Sequence, residues 1–416
     1  MARGLRRMTV LSIWEDTWSL GEGGGVPDEK LFVRRFLDNG VEIDFLIPEP
    51  PGDLSSREET GLHYHTYPNI FKSFSGMPGP VSRLLVPALF DSKVRGPLLG
   101  LARSTRPDLL LGFSHHSIRP VSEVSRITGI PSAVKLFGVM YLARDDIPPP
   151  RRWWLNFDQE RALRYPVDRY IALDDGTMGR KALLERGVPE EKISFLPNGM
   201  DMRWAMLEPD RRETRDRFGI PADRVVIATV SRLSKLKRVD LLLRAAALMD
   251  RGVLASSALA IAGDGEERGR LEDLAAELGL ADRVTFTGAL RYDEMPAFLK
   301  ACDIFTATSD MTNLSMPPCE AMLCGLPVVA FDVAGTSAGV REGETGVLVE
   351  YGDLEGFAEA LSRLVIDRTE RERLGEGAAR FAGENFMSWD ERISREIEIL
   401  ERTAGGGSSS KEPETT

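Results

Sequence analysis

Short apolar runs alternate with stretches of helical periodicity along almost the whole chain. In the first half the runs are Met8–Trp14, Val41–Pro48, His63–Pro68, Asp108–Phe113, Ser132–Gly138, Arg169–Asp174 and Ile193–Pro197. In the second half they are Val225–Val230, Leu259–Gly263, Val284–Gly288, Ile304–Thr308, Pro327–Phe331 and Gly346–Glu350. Helical patterns fill the gaps. Asp28–Asn39 is one, with Asp28 placed to cap it, Leu31, Phe32, Phe36 and Leu37 as its apolar positions, and Gly40 as its stop. Others are Val239–Asp250, Glu266–Leu278, Asp293–Ala301, Pro318–Cys324 and Leu354–Ile366. Runs such as Leu109-Leu110-Leu111 and Val328-Val329-Ala330 are apolar at consecutive positions, as strands covered on both faces require. Strand alternating with helix predicts a doubly wound parallel α/β sheet, and the scheme occurs twice.

The turn-rich Leu196-Pro197-Asn198-Gly199-Met200-Asp201 separates the two series. We therefore expect an N-terminal Rossmann-like domain over residues 1–201 and a second over residues 202–388. The amphipathic segment 389–402 is expected to cross back to the first domain. Residues 403–416, with Gly405-Gly406-Gly407 and Ser408-Ser409-Ser410 before a charged end, read as a disordered tail.

Composition narrows the partners. The 416 residues carry a formal charge of −11, which disfavours bulk binding to nucleic-acid phosphates. The three cysteines, Cys302, Cys319 and Cys324, make no disulfide framework and suit a reducing compartment. They have no metal-ligand spacing, and no cluster of metal ligands is visible elsewhere, so no metal is expected. No apolar run is long enough to span a bilayer and no signal peptide is evident, so a cytoplasmic protein is expected.

Candidate chemistry lies in the strand-to-helix loops. Gly21-Glu22-Gly23-Gly24-Gly25 precedes the first helix, where backbone amides favour anions, although a flexible connector has the same composition. The loop Ser231–Arg238 follows a strand and holds Arg232, Lys235, Lys237 and Arg238. Arg232 offers a planar fork and Lys237 a point charge, both suited to a diphosphate. Gly263-Asp264-Gly265 makes a tight turn after the next strand. Glu320 falls about one turn into its helix, near the positive end, where it serves either a ligand's hydroxyls or the helix itself. His115 and His116 follow the strand Asp108–Phe113, placed for substrate contact, proton transfer or a structural role. Residues 70–106 carry Lys72, Arg83, Lys93, Arg95, Arg103 and Arg106 against Asp91 alone. With Arg151-Arg152-Trp153-Trp154, they suit peripheral contact with an anionic membrane or a lipid-linked acceptor, or an ordinary amphipathic layer.

Together these residues resemble the family-4 retaining glycosyltransferases, which have the GT-B fold of two Rossmann-like domains facing across a cleft. The similarity runs over Leu11 to Trp389. Arg232 and Lys237 match the family's diphosphate-binding pair, and Gly263-Asp264-Gly265 its Gly-x-Gly turn. Val284–Gly288 matches the strand leading to the nucleobase pocket. Glu320-Ala321-Met322 with Gly325-Leu326-Pro327-Val328-Val329 matches its C-terminal signature, and Pro197-Asn198-Gly199-Met200-Asp201 its crossover. The resemblance implies transfer of a hexose from a nucleoside-diphosphate sugar to an acceptor hydroxyl, with retention and without metal. It assigns leaving-group stabilisation to Arg232 and Lys237. Donor contacts fall to Gly24, Gly25, Gly263, Gly265, Thr312, Asn313, Leu314, Ser315 and Glu320. Two positions depart from the pattern. Thr312 stands where the family has its first glutamate, eight positions before Glu320, with Asp310 and Asn313 as substitutes. Phe137-Gly138 stands where it has a His-Gly pair. An epimerase-like enzyme of the same fold and a non-catalytic nucleotide-sugar-binding subunit are the alternatives. The base, hexose, acceptor and oligomeric state are not specified.

Overall fold

The computed structural model describes residues 4–14, 28–50, 60–70, 79–137, 147–173, 176–309, 316–333 and 335–406. The chain divides into two compact units, one of which takes up the chain again at Trp389. The first holds seven strands: β1 (Arg7–Leu11), β2 (Glu42–Pro48), β3 (Leu62–Tyr67), β4 (Leu109–Phe113), β5 (Ser132–Leu136), β6 (Arg169–Ala172) and β7 (Ile193–Phe195). The second holds six: β8 (Val225–Val230), β9 (Ser257–Ala262), β10 (Val284–Gly288), β11 (Ile304–Ala307), β12 (Val328–Asp332) and β13 (Gly346–Glu350). The helices used below are α1 (Asp28–Asp38), α2 (Gly79–Thr105), α3 (Ile118–Thr128), α4 (Pro149–Leu155), α5 (Phe157–Ala162), α6 (Val239–Leu248), α7 (Arg268–Glu277), α8 (Met316–Leu323) and α9 (Trp389–Ala404).

Every pairing among these strands is parallel. The orders are β3-β2-β1-β4-β5-β6-β7 and β10-β9-β8-β11-β12-β13. Each sheet therefore reverses direction once, between β1 and β4 and between β8 and β11. Double coverage is visible residue by residue. Along β8, Ile227 joins one core with Leu243, Leu259 and Phe357, while Val226 and Ala228 join another with Phe298, Phe305 and Ala321. In β4, Leu110 packs with Phe90, Val94 and Val121, and Leu109 and Leu111 are buried on the opposite face.

Helix α1 buries Phe32 and Phe36, whose rings lie 4.7 Å apart. Leu31 is 37% exposed, so the apolar stripe is narrower than its sequence suggests. Gly40, at φ 75°, ends the helix in a left-handed turn, with Val41 N–H donating to Phe36 O at 3.0 Å. Asp210 accepts from Arg212 and Glu213 amides, both at 2.9 Å, and so starts the helix Arg211–Phe218. The crossover motif has its own steric reason. A Cβ on Gly199 would lie 2.7 Å from Trp389 Cα, so only glycine fits there.

Helix α9 packs on α1 and β5. Its apolar stripe hides two charges: Arg392 and Glu396, one turn apart, pair in a fully buried position. Lys135 of β5, also fully buried, places Nζ 3.3 Å from Glu396 Oε1. The Lys135 ammonium also faces the rings of Phe32, Phe113 and Phe137, at 4.9, 5.6 and 5.6 Å. Removing one member of such a group leaves the others desolvated and uncompensated. Glu396→Gln is therefore expected to destabilise the protein by about 3–5 kcal/mol, read as a lowered urea midpoint. Glu370→Gln, at an exposed pair with Arg373, should cost under about 1 kcal/mol. Equal midpoints for the two variants would refute a supporting role for the buried cluster.

Candidate functional site

The reversal between β8 and β11 leaves the loops that follow these strands on either side of a crevice at the carboxyl end of the second sheet. The loop after β8 is clasped by the turn after β9. Leu233 N–H donates to Asp264 O at 2.9 Å, and Glu267 N–H donates to Leu233 O at 3.0 Å. The clasp explains both glycines of that turn. A Cβ on Gly263 would sit 1.8 Å from Ser231 O, and one on Gly265 2.4 Å from Leu233 O. Their φ values, 131° and 156°, also lie outside the ordinary range of other residues. Gly263 and Gly265 thus shape the cationic loop through its backbone, a close approach between two protein segments that the turn's sequence alone does not reveal.

The four cations of the loop separate by environment. Arg238, in a left-handed conformation at φ 48°, grips Asp240 through two bonds of 3.0 and 3.1 Å and reaches Tyr351 Oη at 3.0 Å. Its charge is engaged by the fold. Lys235 is exposed. Arg232 is exposed too, with Glu266 Oε2 at 3.6 Å as a weak partner. Lys237 is half-buried, and burial lowers its pKa. Among the described residues no carboxylate pairs with its ammonium. Its carbonyl accepts from Thr308 Oγ1 at 3.2 Å, which ties this loop to the end of β11.

The segment after β11 leads into α8, where Glu320 is the fifth residue and is buried. Burial pushes its carboxyl up to about 7. Near neutral pH it is therefore divided between an acceptor-only carboxylate and an acid that also donates. Gly24, Gly25, Asp310, Thr312, Asn313, Leu314, Ser315 and Gly138 lie outside the described residues.

In the first unit, the corresponding carboxyl end carries the two histidines. Ser114, directly after β4, has φ 71° and ψ 161°, a region almost reserved for glycine. Ser114 N–H donates to Lys135 O at 2.9 Å, and Ser117 Oγ donates to Ser114 O at 2.7 Å. Gly112 makes room, since a Cβ there would lie 2.3 Å from Ser117 Oγ. The strained residue feeds a 3-10 turn, His115–Ser117, that presents both rings. Their centroids are 4.0 Å apart, and His116 also packs beside Phe90.

His115 Nε2 meets Asp158 Oδ2 of α5 at 2.9 Å. Burial, with the neighbouring His115 charge adding to it, holds His116 down to about 3. Burial alone would raise Asp158, but the hydrogen bond from His115 and the charges of both histidines outweigh it and bring the carboxyl to about 2. Donor atoms of His115, His116 and Asp158 all lie within 4.8 Å of one another. The sequence shows no metal-ligand cluster, and the fold brings these three side chains together. Asp158 lies 43 positions beyond His115, and only the packing of α5 on the turn joins them. Its sole local signal is its place at the start of a helix.

Within the basic stretch over residues 70–106, Arg95 pairs with Glu123 at 3.0 Å, while the one acid, Asp91, is held from outside the stretch by Arg119 at 2.9 Å and Arg161 at 2.7 Å. Lys93 and Arg103 are exposed, as is Trp153 of α4. Lys72 and the Arg83 side chain lie outside the described residues. Phe137, at the position of the family's histidine, packs on Trp14 at 5.0 Å. Cys302, Cys319 and Cys324 are free thiols.

The family model for glycosyl transferases group 1 matches residues 210–381. A D-inositol 3-phosphate glycosyltransferase of Salinispora arenicola is 31% identical over 455 aligned residues, covering 98% of this chain and 94% of that one. One of the same name from Thermomonospora curvata is 32% identical over 271 residues, 62% of each chain, so that alignment spans less than two-thirds of the relative. Anabaena HepE, crystallised in complex with UDP-glucose, shares the fold with a TM-score of 0.70 at 20% identity, over 95% of this chain and all of that one. The two parallel-sheet units are those of the GT-B fold. Among the described residues no helix is long and apolar enough to cross a membrane.

A desolvated ammonium without a carboxylate costs stability. Lys237→Met is therefore expected to raise the thermal midpoint by about 2–4 °C, the shift that ~1 kcal/mol gives a domain of this size. The sign of the pH dependence follows from linkage. The folded state holds this proton less tightly than the unfolded chain, so stability should rise with pH through the alkaline range, up to the ordinary lysine value of 10.5. That rise should be smaller in the variant. Melts of both proteins across this range decide it, and a lower midpoint for Lys237→Met would mean that the ammonium is compensated within the fold.

Proposed function

The chain belongs to the group 1 glycosyltransferases, and we propose that it transfers a hexose from a nucleoside-diphosphate sugar to an acceptor hydroxyl with retention of configuration. The observation that carries this reading is Lys237, a half-buried cation with no carboxylate partner among the described residues, at the strand reversal that also delivers Arg232 and Glu320. Open α/β sheets bind ligands at such a point.

The donor diphosphate lies against the loop after β8. Arg232 and Lys237 stabilise the negative charge that grows on it as the glycosidic bond breaks. Two protein cations already meet that charge, so the diphosphate requires no metal. Glu320 accepts hydrogen bonds from the ribose hydroxyls. The acceptor hydroxyl attacks from the face the diphosphate leaves, and its proton passes to a departing phosphate oxygen. No protein nucleophile takes part, unlike the two-carboxylate retaining hydrolases. HepE was crystallised with UDP-glucose, which makes UDP the first nucleotide to test. The relatives' names make an inositol phosphate the first acceptor.

Calorimetric titration with UDP, GDP and ADP tests the donor site. One nucleotide is expected to bind in chelator-treated buffer, and Arg232→Ala or Lys237→Ala should weaken it by roughly 10–100-fold, the cost of a charge-assisted hydrogen bond. Product NMR should then show the donor's anomeric configuration. Binding of no nucleotide would favour a non-catalytic subunit. Binding that needs added metal would end the metal-independent reading.

A further inference from the structure

We propose that His115, His116 and Asp158 form a binding site for one divalent transition-metal ion of the zinc class, held entirely by the first unit. The site stands apart from the donor reading, since it uses none of the residues assigned to the diphosphate. Two imidazoles and a carboxylate match the donor set of open zinc sites, which keep a fourth position for water or a ligand oxygen.

Metal–ligand lengths of about 2.0–2.1 Å in a tetrahedron put donor atoms about 3.3 Å apart. The His115–Asp158 edge is 2.9 Å, already near that spacing. The widest edge of the triad stays within 4.8 Å, so side-chain rotation alone closes it. The surroundings orient the donors as metal sites require. Asp158 Oδ1 accepts from Gln159 N–H at 3.0 Å, which leaves Oδ2 facing His115. Ser114 Oγ lies 3.4 Å from His115 Nδ1, so the other ring nitrogen is the one turned to Asp158.

Two further features place a ligand here. The turn is carried on the strained Ser114, and such strain collects at ligand sites. On either side of Asp158, Asn156 Oδ1 and Gln159 Oε1 are buried carbonyl oxygens that accept no hydrogen bond from the described residues. Oxygens of this kind suit water bound around a cation.

The test uses the full chain, stripped with chelator and dialysed against Zn2+ or Co2+. One equivalent per chain is expected by elemental analysis, with the ligand-field bands of four-coordinate Co2+ and a thermal midpoint raised by Zn2+. Asp158→Asn and His116→Ala should each weaken binding by at least the roughly 10–100-fold that outer partners cost. His63→Ala, on β3, should not. Asp158→Asn preserves shape and keeps the test decisive if His116→Ala misfolds. Substoichiometric metal, or metal retained undiminished by Asp158→Asn, would overturn the site and leave the triad as a hydrogen-bonded group.

Discussion

Parallel pairing is the constraint on which the rest depends. A strand paired in parallel cannot return through a tight turn, so each connection crosses a face of the sheet before the next strand begins. Each face is then covered, which is why β4 and β8 are apolar at successive positions. The same rule gathers the loops that leave the strands at one edge. Where strand order reverses, the two loops diverge and leave a crevice. The second sheet reverses between β8 and β11, and the loops there carry Arg232, Lys237 and the approach to Glu320. The first reverses between β1 and β4, and the turn after β4 carries His115 and His116. Chemistry collects in these places because the backbone leaves no other open end.

Two lysines show how burial leads to opposite outcomes. Lys135 is fully buried, yet Glu396 lies within 3.3 Å and aromatic rings face it from three sides. It shares Glu396 with Arg392, and this contact ties α9 to β5. Lys237 is only half-buried, but burial is the one cause acting on its pKa, and no carboxylate among the described residues answers it. Arg238, one residue later, is engaged by Asp240 and Tyr351. Neighbouring cations that look equivalent as letters thus differ in what they can offer a ligand, and the difference lies wholly in their partners.

Legibility follows the range of the interaction that decides each feature. The sheet class was readable because burial on two faces acts residue by residue along a strand. Gly40 was readable as a stop because helix termination is local. The residue types for a diphosphate were readable at Arg232 and Lys237, but the bond that engages Arg238 with Tyr351, 113 positions away, was not. Gly263 and Gly265 were legible as a tight turn, but not their close approach to Ser231 and Leu233. Asp158 carried no signal beyond its place at the start of a helix, because its meaning comes from that helix folding onto a turn far upstream. Arg392 and Glu396 were hidden for the opposite reason: in a helix that reads as amphipathic, charged residues are expected outside.

Backbone strain gives an independent view of the same places. Among the described residues other than glycine, three have positive φ: Arg106, Ser114 and Arg238. Ser114 and Arg238 both follow strands that border a reversal of sheet order, β4 and β8. Each is held by hydrogen bonds to well-packed neighbours, Ser114 by Lys135 and Ser117, Arg238 by Asp240. Conformations of this kind cost on the order of 1–3 kcal/mol and persist only where surrounding structure over-determines them. A strain-free turn at either position would send the following side chains elsewhere, so the strain is what aims His115 and His116 in one unit and sets the course of the chain beyond Lys237 in the other.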